Sequence, residues 1–434
     1  MRAFAALAAA LALVRGRREP YDHQTRAYAP RFTTPWRGRA MVDAFFSPDS
    51  SASVLARLVA SANATIDVLT PSSSSWNGCS TPRRRGCSGC EPTYVLHEER
   101  FVLFRELLNA CRYRGVRVRV LTNAFDNEKT CAGAVSPLGF LAMSAEVAMF
   151  RTTTFQHAKV IVVDGERTAI SSVNWSKGSF LANREAGVVL TSTEAAAFVT
   201  SVFEYDWKIA KPWATPTDGI DDDDIRMMRN ATRLEPFPLP SSNRSHYVPK
   251  RASYVANVAV ATSPDAGATV VREALLSTRH SLRIYTYQIT DVDIADVILD
   301  LMRERDVRVS MVLSRAIFMD SDRIASTKVV EYMRENARGK GTISLRSSPH
   351  FFRYAHLKVL IVDDERVVVA TGNLSPSDLP FPIPRSFEPA SDSGRPVNRD
   401  FEVVIDDRRA ANAFRLLFEG DSRDSTAYKP PTKF

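Results

Sequence analysis

Two stretches of this sequence carry groups able to do nucleophilic and acid–base chemistry, and they carry them at the same spacing. Phe155-Gln-His157-Ala-Lys159-Val-Ile-Val-Val-Asp164 leads to Ser171-Ser172-Val-Asn174. Tyr354-Ala-His356-Leu-Lys358-Val-Leu-Ile-Val-Asp363 leads to Ala370-Thr371-Gly-Asn373. A third block follows each, Asn183-Arg184-Glu185 and Asn398-Arg399-Asp400. On a strand, side chains two apart share a face, so His157 points with Lys159, His356 with Lys358, Ser172 with Asn174 and Thr371 with Asn373. Lysine offers a cation, asparagine two amide donors and serine or threonine a hydroxyl. Doubled, the set makes a cradle for one phosphate diester that stabilises its pentavalent transition state without a metal. Ser172 and Thr371 are expected to bind substrate. No acidic cluster with divalent-metal spacing accompanies it, so no metal or cofactor is expected. One His-x-Lys on a strand is more often incidental than catalytic; the repetition is what gives the pattern weight.

The elements that must hold these groups repeat as well. Phe46-Ser-Pro-Asp49 leads through a helical pattern to Ala64–Thr70, and Thr262-Ser-Pro-Asp265 leads through another to Ser281–Tyr287. Helical stretches at about 98–113 and 292–304 precede the alternating strands Val116–Leu121 and Val307–Leu313. The runs Val160–Val163 and Val359–Val362 have the composition of central strands buried on both faces. Such alternation predicts α/β layers with helices on both faces of a sheet. Asp164 and Asp363, at odd offsets from the lysines, are expected to be turn or charge-pairing residues. A linker over 208–252, with Pro212, Pro216, the run Asp221–Asp224 and Pro236, Pro238 and Pro240, should lie on the surface. The second copy also carries a Pro/Ser-rich loop, Pro376 to Pro396, where the first has only Ser176 to Asn183. A long loop beside such a block is expected to shape the substrate mouth.

His157-x-Lys159-x4-Asp164-x6-Ser-Ser-x-Asn174 and its second copy resemble the paired HKD motifs of the phospholipase D superfamily. The resemblance covers roughly 42–207 and 253–420. It implies two α/β sandwich domains related by pseudo-twofold symmetry, with a mixed sheet and helices on both faces, and both histidines at one site. It also implies a ping-pong reaction through a phosphohistidine, with His157 as nucleophile and His356 as general acid and base. Glu185 and Asp400 match the positions that hold each imidazole in the correct tautomer by a carboxylate hydrogen bond. Where the family usually has Gly-Ser, this chain has Ser171-Ser172 and Ala370-Thr371, which keeps the hydroxyl but adds a methyl in the second copy. Two half-sites in one chain make a monomer sufficient.

The chain has 434 residues, 44% hydrophobic and 24% charged, with a net charge of +8. That is a globular composition, and its basic balance favours anionic partners without bearing on fold. The apolar run Ala3–Val14, flanked by Arg2 and Arg15, is too short to span a bilayer, which takes about 20 residues. It reads as a signal peptide over residues 1–20, for secretion or an endomembrane lumen. The rival is an arginine-rich presequence for mitochondrion or plastid. Residues 421–434 read as a tail. Cys79, Cys87, Cys90, Cys111 and Cys131 lie in the first half only, and loop-stapling disulfides are expected rather than a zinc site. Asn-x-Ser/Thr matches at Asn174 and Asn373 fall inside the expected site and are coincidental. Those at Asn230 and Asn243 lie in the linker.

The residues bear less directly on the rest of the substrate. Phe351, Phe352, Tyr354 and Phe381 near the second motif suit an apolar lip for a phospholipid or membrane surface, and they suit base stacking equally well. Arg83, Arg84 and Arg85 suit phosphates of either ligand. The expected function is hydrolysis, or transfer to another alcohol, of a phospholipid phosphodiester. A metal-independent nuclease acting on single-stranded nucleic acid is the alternative.

Overall fold

The computed structural model describes residues 28, 30–71, 102–123, 141–142, 144–153, 155–213, 253–339, 341–380 and 397–433. Residues 1–20, most of the linker with its sequons at Asn230 and Asn243, Arg83–Arg85, Phe381, and Cys79, Cys87, Cys90 and Cys131 lie outside this range. Cys111 lies within it, half-buried and with a free thiol.

The first half runs β1 (Trp36–Ser47), α1 (Ser51–Ala60), β2 (Thr65–Leu69), α2 (Val102–Tyr113), β3 (Arg117–Asn123), β4 (Glu146–Phe150), β5 (Phe155–Gln156), β6 (Val160–Val163), β7 (Arg167–Ser171), α3 (Lys177–Leu181), β8 (Glu185–Thr191), α4 (Thr193–Lys208) and β9 (Lys211–Pro212). The second repeats the plan: β10 (Ser253–Ser263), α5 (Gly267–Leu276), β11 (Ser281–Thr286), α6 (Val292–Arg305), β12 (Arg308–Leu313), α7 (Asp320–Asn336), β13 (Ile343–Ser347), β14 (Lys358–Val362), β15 (Arg366–Ala370), β16 (Asn398–Asp406), α8 (Arg408–Asp424) and β17 (Thr426–Ala427).

Pairing gives the order β4-β3-β2-β6-β7-β8-β1 in one half. The other half follows as β10-β16-β15-β14-β11-β12-β13. The two sheets join edge to edge where β1 and β10 pair antiparallel, Trp36 opposite Val260 through Asp43 opposite Ser253. Each half is mixed: β2, β3 and β4 are parallel to one another, and β2 runs antiparallel to β6. β6 and β14, which follow the two motifs, are central and wholly buried, as their β-branched runs require.

Helices cover both faces. One core cluster packs α1 and α2 on the first sheet, another packs α5, α6 and α7 on the second, and a third gathers residues of both halves with α4 and α8. Asp164 and Asp363 sit just past β6 and β14 at φ near +50°. Each accepts three backbone N–H groups, from Asn63, Ala64 and Thr65 and from Arg279, His280 and Ser281. They are turn residues well removed from the imidazoles. The stretch expected as a tail from 421 is instead part of the fold. Asp421 lies in α8, β17 pairs with β13, and Ile317 N–H bonds Thr432 O. Its apolar periodicity is short, which hides this in the sequence.

The halves are locked by a reciprocal exchange. Arg184, fully buried, donates to Asp421 of the second half at 2.7 and 2.8 Å and to Asp49 of its own at 2.6 Å. Arg399, equally buried, donates to Asp206 of the first half at 2.9 and 3.0 Å and to Asp265 of its own at 2.9 Å. Asp49 and Asp265 are the acids of the two Ser-Pro-Asp repeats. Removing either guanidinium strands two buried carboxylates. Arg184→Ala and Arg399→Ala should each lower the unfolding free energy by about 3–5 kcal/mol in denaturant titrations. A loss of under about 1 kcal/mol would show that the pairs do not hold the halves together.

Candidate active site

The same two Asn-Arg-acid blocks that lock the halves also place the chemistry. The carbonyl of Arg399 accepts the backbone N–H of His157 and of Ala158, both at 2.9 Å, and that of Arg184 accepts those of His356 and Leu357 at 2.8 and 3.1 Å. Each histidine is therefore held against the strand that begins the opposite half's acidic block. β5 runs parallel to the start of β16, and Arg184 bridges Ala355 in the same way.

The consequence is a crossed pairing. Nδ1 of His356 lies 2.9 Å from Glu185 of the first half, and Nδ1 of His157 lies 3.1 Å from Asp400 of the second. Neither carboxylate serves the histidine of its own copy. With Nδ1–H donating to the carboxylate, each Nε2 is left to face a substrate. Ser172 Oγ donates to Glu185 at 2.6 Å and accepts the N–H of Ala186. Thr371 Oγ1 donates to Asp400 at 2.6 Å and accepts the N–H of Phe401. Their expected role as substrate contacts is corrected: both are fully buried and hold the acids, because each hydroxyl is spent on a carboxylate and an amide.

Lys159 and Lys358 are buried with the imidazoles. Lys159 Nζ bonds the carbonyls of His157 and Thr371. Lys358 Nζ bonds the carbonyl of His356 at 2.7 Å and lies 3.1 Å from its Nε2. Burial lowers Lys159 to about 8 against the pull of Asp400, Asp378 and Glu185. Burial and then repulsion from Lys159 lower Lys358 to about 7. Burial also lowers His356 to about 4; Glu185 opposes this and Lys358 adds to it. Burial alone would raise Glu185, but the charges of His356 and Lys358 and the Ser172 hydroxyl hold it below the usual carboxylate range. Asn373 donates its side-chain amide to Asp378 at 2.9 Å, and Asn174 is half-buried at the matching place.

Three features go beyond the sequence expectations. Asp378, in the Pro376–Pro396 loop, is buried with Oδ2 at 3.8 Å from His157 Nδ1. Its only sequence signal is that the first copy has Ser179 at the same offset from its asparagine. Phe352, expected at a lip, is instead buried under the Arg184 guanidinium, 4.3 Å from its ring centroid. Phe351 and Tyr354 remain part-exposed. Phe318 and Met319 are 62% and 50% exposed. Phe318 N–H bonds Tyr287 Oη at 2.7 Å, and the Tyr287 ring lies 4.9 Å from His356.

Among the described residues, His157, Asp378 and Asp400 put ligand atoms within 4.8 Å of one another, as a divalent cation would require. Their carboxylate oxygens already accept from Thr371, Asn373 and Asn398.

The sequence profile of the "Cardiolipin synthase, PLD-like domain" family matches residues 92–207 and 271–421. The chain belongs to this phospholipase D-like family. It is 36% identical over 106 residues to cardiolipin synthase A of Pseudomonas putida (strain W619), covering 24% of this chain and 22% of that protein. It is 35% identical over 95 residues to cardiolipin synthase A of Pseudomonas aeruginosa (strain LESB58), covering 22% and 19%. The matched stretch thus spans about a fifth of these curated relatives. Phosphatidylserine synthase of Haemophilus influenzae Rd KW20 shares the fold over 90% of both chains, with a TM-score of 0.55 and 13% identity. Polyphosphate kinase of Porphyromonas gingivalis shares it over 89% of this chain and 52% of its own, with a TM-score of 0.51 and 9% identity.

The phospholipase D-like relatives also correct the expected location. They are bacterial synthases named for a membrane phospholipid, and they overturn a secreted or lumenal protein read from the apolar N-terminal run, which short hydrophobic segments of other kinds also produce. No helix among the described residues is long and apolar enough to cross a membrane.

Because the pairing crosses, a change in one half should disable the histidine of the other. Glu185→Gln should lower kcat by about 10²-fold or more with KM little changed, as loss of a tautomer-fixing carboxylate does. Steady-state kinetics of the variant check this. Turnover of an anionic diester should also fall as pH rises through about 7 to 8, where Lys358 and Lys159 lose their charge. A profile of kcat/KM against pH flat across that range would show that the ammonium charges do not hold the phosphate.

Proposed function

We propose that the chain cleaves a phospholipid phosphodiester, or transfers its phosphatidyl group to an alcohol, through a phosphohistidine. The crossed arrangement carries this reading: two imidazoles, each held by a carboxylate of the opposite half, beside two buried lysines. In the first step one Nε2 attacks phosphorus, the P–O bond to the leaving alcohol breaks, and the second imidazole gives that oxygen its proton. In the second step that imidazole takes a proton from water or an acceptor alcohol, whose oxygen attacks phosphorus. The P–N bond breaks and its electrons return to the first imidazole. Lys159, Lys358, Asn174 and Asn373 supply donors for the non-bridging oxygens, where charge grows in the transition state. Phe318 and Tyr354, both in contact with Tyr287 beside the second histidine, offer apolar surface to lipid chains. The names of the relatives, cardiolipin synthase and phosphatidylserine synthase, support a phospholipid over other diesters. One chain supplies both half-sites, so a monomer suffices.

The test gives purified protein phosphatidylglycerol or phosphatidylcholine vesicles and, separately, a 5′-labelled single-stranded oligonucleotide, each with and without EDTA. Headgroup release with the oligonucleotide intact is expected, unchanged by EDTA. Oligonucleotide cleavage without headgroup release would replace the lipid reading by a nuclease. His157→Ala and His356→Ala should each remove nearly all turnover, since the two act as a unit. Most activity surviving in either variant would overturn the two-histidine reaction.

A further inference from the structure

Both arginines that lock the halves carry an aromatic ring on the guanidinium face, and the two rings come from different parts of the chain. Over Arg184 lies Phe352, four residues before His356, at 4.3 Å from its centroid. The residue four before His157 is Thr153, which has no ring. Over Arg399 lies instead the ring of Tyr28, at 5.3 Å, from a segment ahead of β1 that belongs to neither repeat.

Tyr28 is buried, and its hydroxyl closes a loop of hydrogen bonds. It accepts from Arg399 Nη2 at 3.1 Å and donates to Asp265 Oδ2 at 2.7 Å, the same oxygen that accepts Arg399 Nη1 at 2.9 Å. Burial pushes the phenol above its ordinary value, against the charge of Arg399, so it keeps the proton that it gives to Asp265. The neighbouring residues seat the segment. The N–H groups of Arg31 and Phe32 donate to Asp265 Oδ1 at 2.5 and 3.0 Å. The Phe32 ring meets Phe198 and Tyr205 of α4 edge-on at 6.4 and 5.9 Å, and the Arg31 guanidinium lies 4.6 Å from the Tyr205 centroid. The segment thus ties α4, which supplies Asp206, to the Ser-Pro-Asp turn of the second half. Arg399 is held between the two.

What holds Arg399 bears directly on the first motif. Its carbonyl accepts the N–H of His157 and of Ala158, and the carboxylate of the next residue, Asp400, lies 3.1 Å from His157 Nδ1. A ring on the guanidinium face keeps water from a buried cation, which otherwise would trade its fixed carboxylate partners for solvent. Resting on the two-histidine site proposed above, we propose that Tyr28 is a positioning residue for His157. A strap of Tyr28, Arg31 and Phe32 supplies the ring that the first motif lacks, and so fixes the backbone that aims the first histidine. His356, aimed by Arg184 under Phe352, does not depend on it. A segment outside the repeats therefore serves one half-site alone.

Full-length protein carrying Tyr28→Ala or Tyr28→Phe tests this. Hydrogen exchange, read by mass spectrometry on the peptides that hold the two motifs, compares the amides of His157 and Ala158 with those of His356 and Leu357. Tyr28→Ala should speed exchange in the first peptide about tenfold and leave the second as it was. Its kcat on bis(p-nitrophenyl) phosphate should fall about tenfold with KM unchanged, the effect of a slightly misplaced reacting group. Tyr28→Phe, which puts over Arg399 the kind of ring that Arg184 already carries, should restore most of both. Equal acceleration of the two peptides would make Tyr28 a general stabiliser and overturn the proposal, as would exchange and kcat both unchanged in the alanine variant. The exchange measurement needs no substrate. Wild-type protein that turns over no diester, while exchange still responds at His157 alone, would sink the reaction and leave the strap's role standing. Tyr28→Leu, which keeps bulk without ring or hydroxyl, replaces the alanine variant if that one does not fold, with the same expected results.

Discussion

The structure depends on an exchange of two guanidinium groups across a pseudo-twofold axis. Arg184 and Arg399 each bridge an acid of the opposite half's last long helix and an acid of their own Ser-Pro-Asp turn. Two charges taken out of water are tolerated only where every donor finds a partner, and here both planar forks meet a carboxylate edge on. Such geometry has little tolerance for sliding. It fixes the register of the two halves more tightly than the shared apolar core, whose side chains could repack at modest cost. The backbone carbonyls of the same two arginines accept the N–H groups of the two histidines. The contact that holds the halves together therefore also aims the imidazoles.

That coupling explains why the acid of one copy serves the histidine of the other. Glu185 and Asp400 follow the arginines directly in the chain, so they enter the site at the seam, where the opposing histidine is the nearer one. Neither half could orient its own imidazole. A site assembled this way exists only in the docked pair, and both lysines and both imidazoles share one water-poor space. Burial then works on Lys159, Lys358 and His356 in the same direction, toward the neutral form. Carboxylates from across the seam are what keep any of the cations charged.

Much of this was legible in the sequence because the chain repeats itself. The spacing of His, Lys, Asp, hydroxyl and Asn gave the site, and the period-two and helical patterns gave mixed sheets with helices on both faces. The role of Asp164 and Asp363 followed from their odd offset. What repetition could not convey was which partner each group would meet. Ser172 and Thr371 share a face with asparagines that reach the site, yet their hydroxyls are drawn inward by carboxylates at the start of the neighbouring strand. Arg184 and Arg399 look like surface residues at strand starts, and only the tertiary approach of α4 and α8 buries them. Phe352 is drawn under a guanidinium for the same reason. The stretch after 421 lacks a sequence pattern long enough to mark it as part of the sheet.

Where the two copies disagree, the disagreement falls beside the reacting groups: Asp378 against Ser179, and Gly372 against Val173. A symmetric pair of imidazoles sharing one proton would hold it on either ring with equal weight. The cost in rate would be a factor of two, only about 0.4 kcal/mol. The larger consequence is for which bond breaks. An in-line displacement expels the oxygen opposite the attacking nitrogen, and only the imidazole on that side can protonate it. For a diester bound in one orientation, the position of the proton therefore selects which of the two ester oxygens leaves. A second carboxylate beside one histidine alone makes the two ends of the cradle unequal. A diester whose two alcohols differ as widely as a polar headgroup and a diacylglycerol needs that distinction; one whose two ends are alike does not.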